Sequence, residues 1–223
     1  STDAATAIMT TDTHKKEYAI QFELGGKTCT VGAIGKGSGM IAPNMATMLS
    51  VVLCDAQVEA SVWQKMLRDA VELTFNRVTV DGDTSTNDTL YGLANGASGV
   101  SASDEESLKA LSAALTSVLG DLAYMLVKDG EGASKVARIH VAGAASDADA
   151  ERVARAVGHS QLVKTALYGR DANWGRIVAA VGRSGADFNP DDVVVTLCGV
   201  ELFRKGQPTD QDFDALLEDC LLY

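Results

Sequence analysis

The chain has 223 residues and a formal net charge of −11. Because an acidic surface repels phosphate groups, we expect neither nucleic acid nor an anionic membrane as a partner, whereas a small cationic substrate would be attracted. Hydrophobic residues make up 46% of the chain and charged residues 22%, a composition typical of soluble globular proteins that bury a core.

The first predicted elements are two strands joined by a tight turn. Apolar and polar residues alternate over residues 18–24, and this period of two is typical of a half-buried strand. The Gly25-Gly26 pair then predicts a hairpin turn, with a return strand over residues 27–34. A short apolar run at residues 47–53 predicts a buried strand, and residues 58–75 carry apolar side chains at helical spacing.

The remaining predicted elements mix helices with strands. Ser103 and Glu106 have the spacing of a capping box, which predicts a long helix ending near Lys128. Lys109 and Asp121 interrupt its apolar stretch, so we predict an amphipathic helix rather than a membrane span. The other predicted elements are a strand at residues 136–141, a strand pair at 193–203, and helices at 147–157, 171–181 and 210–221. This order lacks βαβ alternation and predicts an α+β fold, a layered sandwich of mixed sheets and helices.

The cysteines predict neither a zinc site nor a disulfide framework. Cys29, Cys54, Cys198 and Cys220 are scattered and form no CxxC pair, so we interpret them as reduced thiols of a cytoplasmic protein. The histidines also lack the spacing of metal ligands. We therefore predict no bound metal and no cofactor.

A glycine-rich segment, residues 35–40 (GKGSGM), suggests a phosphate-binding loop at first sight. It fails the P-loop spacing, because its lysine precedes the second glycine and no Lys-Ser/Thr pair ends it, and it also fails the GxGxxG pattern. Two interpretations stay open. The segment is either a flexible turn or a loop in which the backbone and Lys36 approach a ligand together.

Two further segments place acidic residues beside glycines. Residues 81–88 (DGDTSTND) fail the EF-hand template, since Thr86 and Gly92 stand where glycine and glutamate are required. The alternative to a metal site is a turn whose side chains bond their own backbone. Residues 129–133 (DGEGA) predict either a glycine helix cap followed by a solvated Glu131, or a carboxylate presented to a cationic group.

Five segments taken together are more specific than any one of them. They are residues 7–13 (AIMTTDT), 36–49 (KGSGMIAPNMATML), 79–88 (TVDGDTSTND), 129–135 (DGEGASK) and 169–176 (GRDANWGR). In this order, across nearly the whole chain, they resemble the ornithine acetyltransferases, the bifunctional glutamate N-acetyltransferases of arginine biosynthesis. Residues 36–49 resemble the self-cleavage segment of that family.

The resemblance implies a self-cleaving enzyme of the N-terminal-nucleophile type, cut between Ala46 and Thr47. Residues 1–46 would then be the C-terminal part of an α chain, and residues 47–223 a β chain truncated at its C-terminus. The freed Thr47 would accept an acetyl group from N-acetylornithine as an ester and pass it to glutamate, with its own amine as the base. Acetyl-CoA stays open as a second acetyl donor, and assembly of α with β chains into a higher oligomer is implied.

The resemblance also assigns substrate contacts to Lys36, Thr47 and Glu131, and leaves the other segments as scaffold. The family's oxyanion-hole Thr-Gly pair does not occur in residues 1–46, and its C-terminal substrate-binding residues would lie beyond residue 223. We therefore expect this stretch alone to be incomplete and inactive. Two alternatives remain: an aminopeptidase or amidase on a similar cleaved scaffold, and a non-catalytic binding domain in which the acidic turn matters and Thr47 does not.

Overall fold

Residues 1–42, 48–210 and 213 are described by a computed structural model of the chain. The chain divides into two units, Ser1–Ala133 and Ser134–Tyr223. Ala46, Thr47, Cys220 and almost all of the helix predicted at residues 210–221 lie outside the described residues.

The first unit is built on a four-stranded mixed sheet. Its strands, in the order in which they lie side by side, are β1 (Lys16–Leu24), β2 (Lys27–Lys36), β3 (Leu49–Cys54) and β4 (Thr89–Ala94). The β1–β2 hairpin confirms the prediction from the alternating pattern, and Gly25 and Gly26 adopt the positive φ that such a turn requires. β2 and β3 are antiparallel, whereas β3 and β4 are parallel.

Among the described residues of this unit, three α-helices accompany the sheet: α1 (Thr2–Ala7), α2 (Ala60–Leu73) and α3 (Glu105–Lys128). The capping box of α3 lies one residue after the predicted one. The side chain of Asp104 accepts a hydrogen bond from Ser107 N, and Ser107 Oγ accepts one from Asp104 N. The prediction from Ser103 and Glu106 is wrong because a second polar pair with the same spacing stands one residue later.

The core of the first unit lies between the sheet and α3, with α2 packed beside them. Helical spacing brings one face of α3 completely out of solvent: Leu111, Leu115, Val118, Leu119, Leu122 and Leu126. Burying a leucine contributes about 1.5–3 kcal/mol, so this face holds the helix on the sheet. α3 is long and apolar enough to cross a membrane by length and composition, but its apolar face is the core of this unit.

The second face of the same sheet is apolar yet exposed over β3 and β4. Side chains alternate between the two faces of a strand, and those pointing away from α3 include Leu53, Tyr91 and Leu93, which are 55–65% exposed. An apolar patch of this kind on a folded chain marks a surface that contacts something else.

In the part that the structure describes with all of its residues, 134–210, the second unit contains three α-helices and a small antiparallel sheet. Its elements are α4 (Asp147–Gly158), α5 (Gln161–Tyr168), α6 (Trp174–Gly182), β5 (Val195–Leu197), β6 (Val200–Arg204) and β7 (Gln207–Pro208). The predictions of α4, α6 and the β5–β6 pair are confirmed. The strand predicted at residues 136–141 is wrong, because that segment pairs with no strand among the described residues and is largely exposed.

The cysteines that the structure describes differ in oxidation state. Cys29 and Cys54 are buried free thiols. Cys198 is disulfide-bonded, so the prediction that all the cysteines are reduced is wrong for this residue.

Candidate active site

The loop after β2, residues 37–39, is held in place by the end of α3; we call it the glycine loop. Ser38 Oγ donates to Asp129 O at 2.7 Å, and Ser38 O accepts from Glu131 N at 2.9 Å. Gly37 has a φ of +150°, and a Cβ added there would lie 2.8 Å from Ile41 Cδ1, so a side chain is disfavoured. In this structure the segment is an anchored loop, and the approach of its backbone and Lys36 to a ligand stays a prediction.

Lys36 and Glu131, the predicted substrate residues, both adjoin the glycine loop. Lys36 is the half-buried last residue of β2, and its Nζ donates to Thr10 Oγ1 at 3.4 Å. Glu131 is exposed, and its carboxylate lies over Gly39 so closely that an added Cβ would be 2.8 Å from it. A cation thus precedes the loop and an anion lies over its end, and neither side chain is fully buried, so both can meet a small charged molecule.

Residues 81–88 form a segment that we call the acidic turn. Its side chains anchor the backbone on both sides of residues 43–47. On the upstream side Asp81 Oδ2 accepts from Met40 N at 2.7 Å, its Oδ1 accepts from Ile41 N at 3.1 Å, and Thr84 Oγ1 donates to Ala42 O at 3.0 Å. On the downstream side Asp88 Oδ1 accepts from Met48 N. These side chains bond backbone 40 residues away in sequence, rather than their own backbone alone as one interpretation of the turn proposed.

The Asp88 carboxyl is buried, and its pKa is shifted from the ordinary value. Burial raises its pKa above the ordinary value, although the hydrogen bond from Met48 and the charge of Lys36 act in the opposite direction. Among the described residues, no group of three or more His, Cys, Asp or Glu side chains could hold a metal ion. The hydrogen bonds of Asp81, Thr84 and Asp88 give the acidic turn a backbone-anchoring role in this structure.

A buried triad of charged side chains, which we call the ion triad, contacts the start of the glycine loop. Lys16 Nζ is 2.5 Å from Asp12 Oδ1 and 2.6 Å from Asp129 Oδ2, and all three side chains are at least 92% buried. Asp12 Oδ1 also accepts from Gly37 N at 2.7 Å. The triad therefore ties the segment before β1, the start of the glycine loop and the end of α3 to one another.

Hydrogen bonds to the triad favour its charged carboxylates. Burial opposes this, but hydrogen bonds from Gly37, Lys16 and Thr10 lower the pKa of Asp12. Burial likewise opposes the charge of Asp129, yet hydrogen bonds from Lys16 and Thr13 hold the pKa of Asp129 far below its ordinary value. Both groups stay ionised at neutral pH, and the two carboxylates share the single cation Lys16, so the triad carries one net negative charge.

Four residues of this region were not singled out from the sequence. Lys16 and Asp129 are 113 residues apart, so no local spacing indicates their pairing. Thr10, which meets Lys36, and Asp88 both lie inside segments that resemble the ornithine acetyltransferases. Those segments were the available signal for both residues, but a resemblance does not separate anchoring roles from substrate contacts.

Residues 169–176 in the second unit have a scaffold role in this structure. Asn173 caps α6 through its side chain, which accepts from Arg176 N at 3.1 Å. The Arg176 guanidinium donates to Leu162 O at 2.9 Å and thereby ties α6 to α5. Trp174 stacks on Phe203 with ring centroids 5.2 Å apart. This geometry agrees with the interpretation of the segment as scaffold.

Known proteins with similar sequences decide the family. The chain matches the ArgJ family over residues 1–220. The chain belongs to the ArgJ family. It is 67% identical over 219 residues to the arginine biosynthesis bifunctional protein ArgJ of Nitratidesulfovibrio vulgaris, covering 98% of this chain and 56% of that protein. It is 54% identical over 214 residues to the glutamate N-acetyltransferase of Methanocaldococcus jannaschii, covering 93% and 53%.

A solved structure supports the same family and the fold. The crystal structure of the ArgJ protein from Bacillus halodurans is 36% identical to this chain, with a TM-score of 0.70 over 79% of this chain and 82% of that one. The predicted α+β fold of the N-terminal-nucleophile type is thereby confirmed, as is the predicted family. The chain spans about half the length of the curated relatives that it matches, and the roles of Lys36, Thr47 and Glu131 stay predictions.

Proposed function

We propose that the full-length protein containing this chain is a glutamate N-acetyltransferase that cleaves itself between Ala46 and Thr47. It then transfers an acetyl group from N-acetylornithine to glutamate through an acetyl ester on Thr47. The observation that carries the proposal is the family match over residues 1–220. The proposed activity is the one in the name of a relative with 54% identity, a glutamate N-acetyltransferase.

Self-cleavage would proceed as an acyl shift followed by hydrolysis. The Thr47 hydroxyl oxygen attacks the carbonyl carbon of Ala46, the peptide C–N bond breaks, and the hydroxyl proton ends on the departing nitrogen. Water then hydrolyses the new ester, which leaves a carboxylate on Ala46 and a free amine and hydroxyl on Thr47. Anchoring of Met40, Ile41 and Met48 by the acidic turn supports this step, since restraint of both flanks favours one attack geometry.

Acetyl transfer would use the same threonine twice. The free amine of Thr47, with a reference pKa of about 7.7–8.0, takes the hydroxyl proton as the oxygen attacks the acetyl carbon of N-acetylornithine. Ornithine leaves with that proton, and the acetyl group remains as an ester. The amine of glutamate then attacks the ester, so that N-acetylglutamate leaves and the hydroxyl is restored.

The charges beside the glycine loop fit the ends of these substrates. Lys36 would hold the α-carboxylate of the acetyl donor and of glutamate, and Glu131 would hold the side-chain ammonium of ornithine. The half-buried position of Lys36 and the exposed position of Glu131 support this division, since both charges can reach groups that arrive from solvent.

The sheet supports a stable assembly of α and β chains after cleavage. β2 lies upstream of the proposed break and β3 downstream, yet they pair from Val31–Cys54 to Lys36–Leu49. Cleavage would therefore leave two chains sharing one sheet. We propose that the remaining half of the full-length protein covers the exposed side chains of Leu53, Tyr91 and Leu93.

Family membership also supports proposals about the oligomeric state, the cellular location and the acetyl donors of the full-length protein. We propose a higher oligomer and a cytoplasmic location, with acetyl-CoA open as a second acetyl donor. A relative from Physcomitrium patens is named as chloroplastic, so the compartment differs among organisms.

Lys36→Ala and Glu131→Ala are made separately in the full-length protein. Each should lower the catalytic efficiency, kcat/KM, for N-acetylornithine about ten- to a hundredfold. Each removes one charge-assisted hydrogen bond to the substrate, which is worth roughly 1.5–3 kcal/mol. The melting temperature should stay nearly unchanged, because neither side chain belongs to the core. Lys27→Ala, at the exposed opposite end of β2, is the matched control and should leave kcat/KM as it was. A large melting loss with normal kinetics would show that both residues are structural.

The proposed function is tested by incubating the full-length protein with N-acetylornithine and glutamate and measuring the products. Formation of N-acetylglutamate and ornithine in equal amounts is the expected result. Release of acetate, with no dependence on glutamate, would instead assign an amidase. An intact chain that binds either compound without turnover would assign a binding domain.

A further inference from the structure

The two charged residues beside the glycine loop, Lys36 and Glu131, come from segments that are far apart in the sequence. Lys36 ends β2, whereas Glu131 follows α3, and a backbone hydrogen bond from Glu131 N to Ser38 O joins the two segments. Neither charged side chain is fully buried, so packing alone does not fix either of them. Their relative placement therefore depends on the residues that hold the two segments together.

Asp12 holds the segment that carries Lys36. Its Oδ1 accepts from the backbone N of Gly37, the residue directly after Lys36, at 2.7 Å. Its Oδ2 accepts from Thr10 N at 3.1 Å, and Thr10 Oγ1 is the group that Lys36 Nζ meets at 3.4 Å. Asp12 therefore fixes both the backbone from which Lys36 extends and the hydroxyl that its ammonium group contacts.

Asp129 holds the segment that carries Glu131. It is the C-cap of α3, two residues before Glu131. Its backbone O accepts from Ser38 Oγ at 2.7 Å. Its carboxylate Oδ2 accepts from Thr13 N at 3.0 Å and from Lys16 Nζ at 2.6 Å. Asp129 therefore ties the end of α3 both to the glycine loop and to the segment before β1.

Lys16 links the two aspartates, because its Nζ contacts Asp12 at 2.5 Å and Asp129 at 2.6 Å. The Lys16 side chain is only 2% exposed. Buried ionic groups are a costly way to stabilise a fold, since apolar side chains of similar volume often serve as well or better. A fully connected buried network, in contrast, specifies one arrangement of the segments that it joins. The ion triad is therefore suited to placing Lys36 and Glu131 relative to each other.

We propose that Asp129, through the ion triad, is a positioning residue that sets the separation between the Lys36 ammonium and the Glu131 carboxylate. This inference rests on the proposed function, in which these two charges hold the α-carboxylate and the side-chain ammonium of N-acetylornithine. A fixed separation selects a substrate by the number of methylenes between those two groups. The ion triad thus favours N-acetylornithine over Nα-acetyllysine, whose side chain is one methylene longer.

The test compares the full-length enzyme with its Asp129→Ala variant on both substrates. Alanine removes the contact with Lys16, but Lys16 keeps Asp12 as its partner, so no buried charge is left alone. KM for N-acetylornithine should rise about tenfold and kcat should change less than about threefold, since the two charges bind substrate and transition state alike. The ratio of kcat/KM for N-acetylornithine to that for Nα-acetyllysine should fall about tenfold. Asp129→Asn, which retains an acceptor for Lys16, should restore most of this ratio.

Asp104→Ala is the matched control, because Asp104 is exposed and caps the opposite end of α3. It should lower stability without changing the ratio of the two substrates. Ser38→Ala removes only the hydrogen bond to Asp129 O and should lower the ratio in the same direction. An unchanged ratio in Asp129→Ala, or in Ser38→Ala where Asp129→Ala does not fold, would overturn the inference. A wild-type enzyme with no activity on N-acetylornithine would overturn the proposed function, and this inference with it.

Discussion

Replacing Thr47 with alanine in the full-length protein is expected to leave a single uncut chain and to lower acetyl transfer at least about a thousandfold. Without the hydroxyl there is no nucleophile for the acyl shift and none to carry the acetyl group. A denaturing gel should show one band in the variant and two in the wild type. N-terminal sequencing should identify one of the two wild-type bands as the β chain, with the first residues Thr-Met-Leu-Ser.

Thr47→Ser is the control for this prediction, since it keeps the hydroxyl and should still cleave. The prediction has a clear point of failure. A Thr47→Ala precursor that still breaks between residues 46 and 47 would show that Thr47 does not drive the cleavage.

Replacing Lys16 with methionine should destabilise the protein by about 3–5 kcal/mol, the usual cost of removing one partner from a buried ion pair. The side chains of Lys16 and Asp12 are 2% and 0% exposed, so two buried carboxylates would be left without the cation that both of them contact. Methionine keeps most of the volume, which separates the loss of charge from the creation of a cavity. Chemical denaturation followed by circular dichroism measures the change in the free energy of unfolding.

Lys15 is the matched control, because it is the neighbouring lysine and its ion pair with Glu17 is solvent-exposed. Lys15→Ala should change the free energy of unfolding little. If Lys16→Met and Lys15→Ala behave alike, the triad does not hold the first unit together.

The triad also predicts how stability depends on pH. The pKa values of Asp12 and Asp129 are lowered in the folded state, so their contribution is fully present above the unfolded carboxyl pKa of about 3.9. It is lost as the pH falls through the lowered folded values. In Lys16→Met both pKa values should rise relative to the wild type, because the cation is gone while burial remains. The stability difference between variant and wild type should therefore shrink as the pH falls from about 7 towards 4.

Local pattern was sufficient for the elements whose partners are close in sequence. The β1–β2 hairpin follows from alternation on both sides of Gly25-Gly26, and α3 follows from apolar residues at helical spacing. The sequence also predicted the family from segments that lie far apart, and with it substrate roles for Lys36 and Glu131. Those roles emerged from the resemblance, whereas the position of both residues beside the glycine loop emerged only from the structure.

The segment 136–141 shows where pattern reasoning fails. Its apolar residues predicted a strand, yet Val136 and Ile139 are each 37% exposed and the segment pairs with no described strand. A strand needs hydrogen bonds from a neighbour as well as a suitable pattern. Alternation alone cannot tell whether that neighbour exists.

The anchoring network could not be predicted, because its partners are distant in sequence. Asp81 and Asp88 each bind backbone about 40 residues upstream, and Lys16 binds Asp129 across 113 residues. Sequence spacing suggested only a calcium loop or a self-bonded turn for residues 81–88. The fold decides instead that these carboxylates hold the flanks of the proposed cleavage segment.

The most direct test of the central claim is the intact mass of the β chain during turnover. Cleaved full-length protein is mixed with N-acetylornithine in the absence of glutamate and quenched rapidly, and the two chains are separated and weighed. The proposed mechanism predicts one added acetyl group on the β chain, at Thr47, which disappears as N-acetylglutamate forms when glutamate is supplied. A β chain that stays unmodified, with initial-rate lines that intersect rather than run parallel, would mean direct transfer between bound substrates and would contradict the role of Thr47.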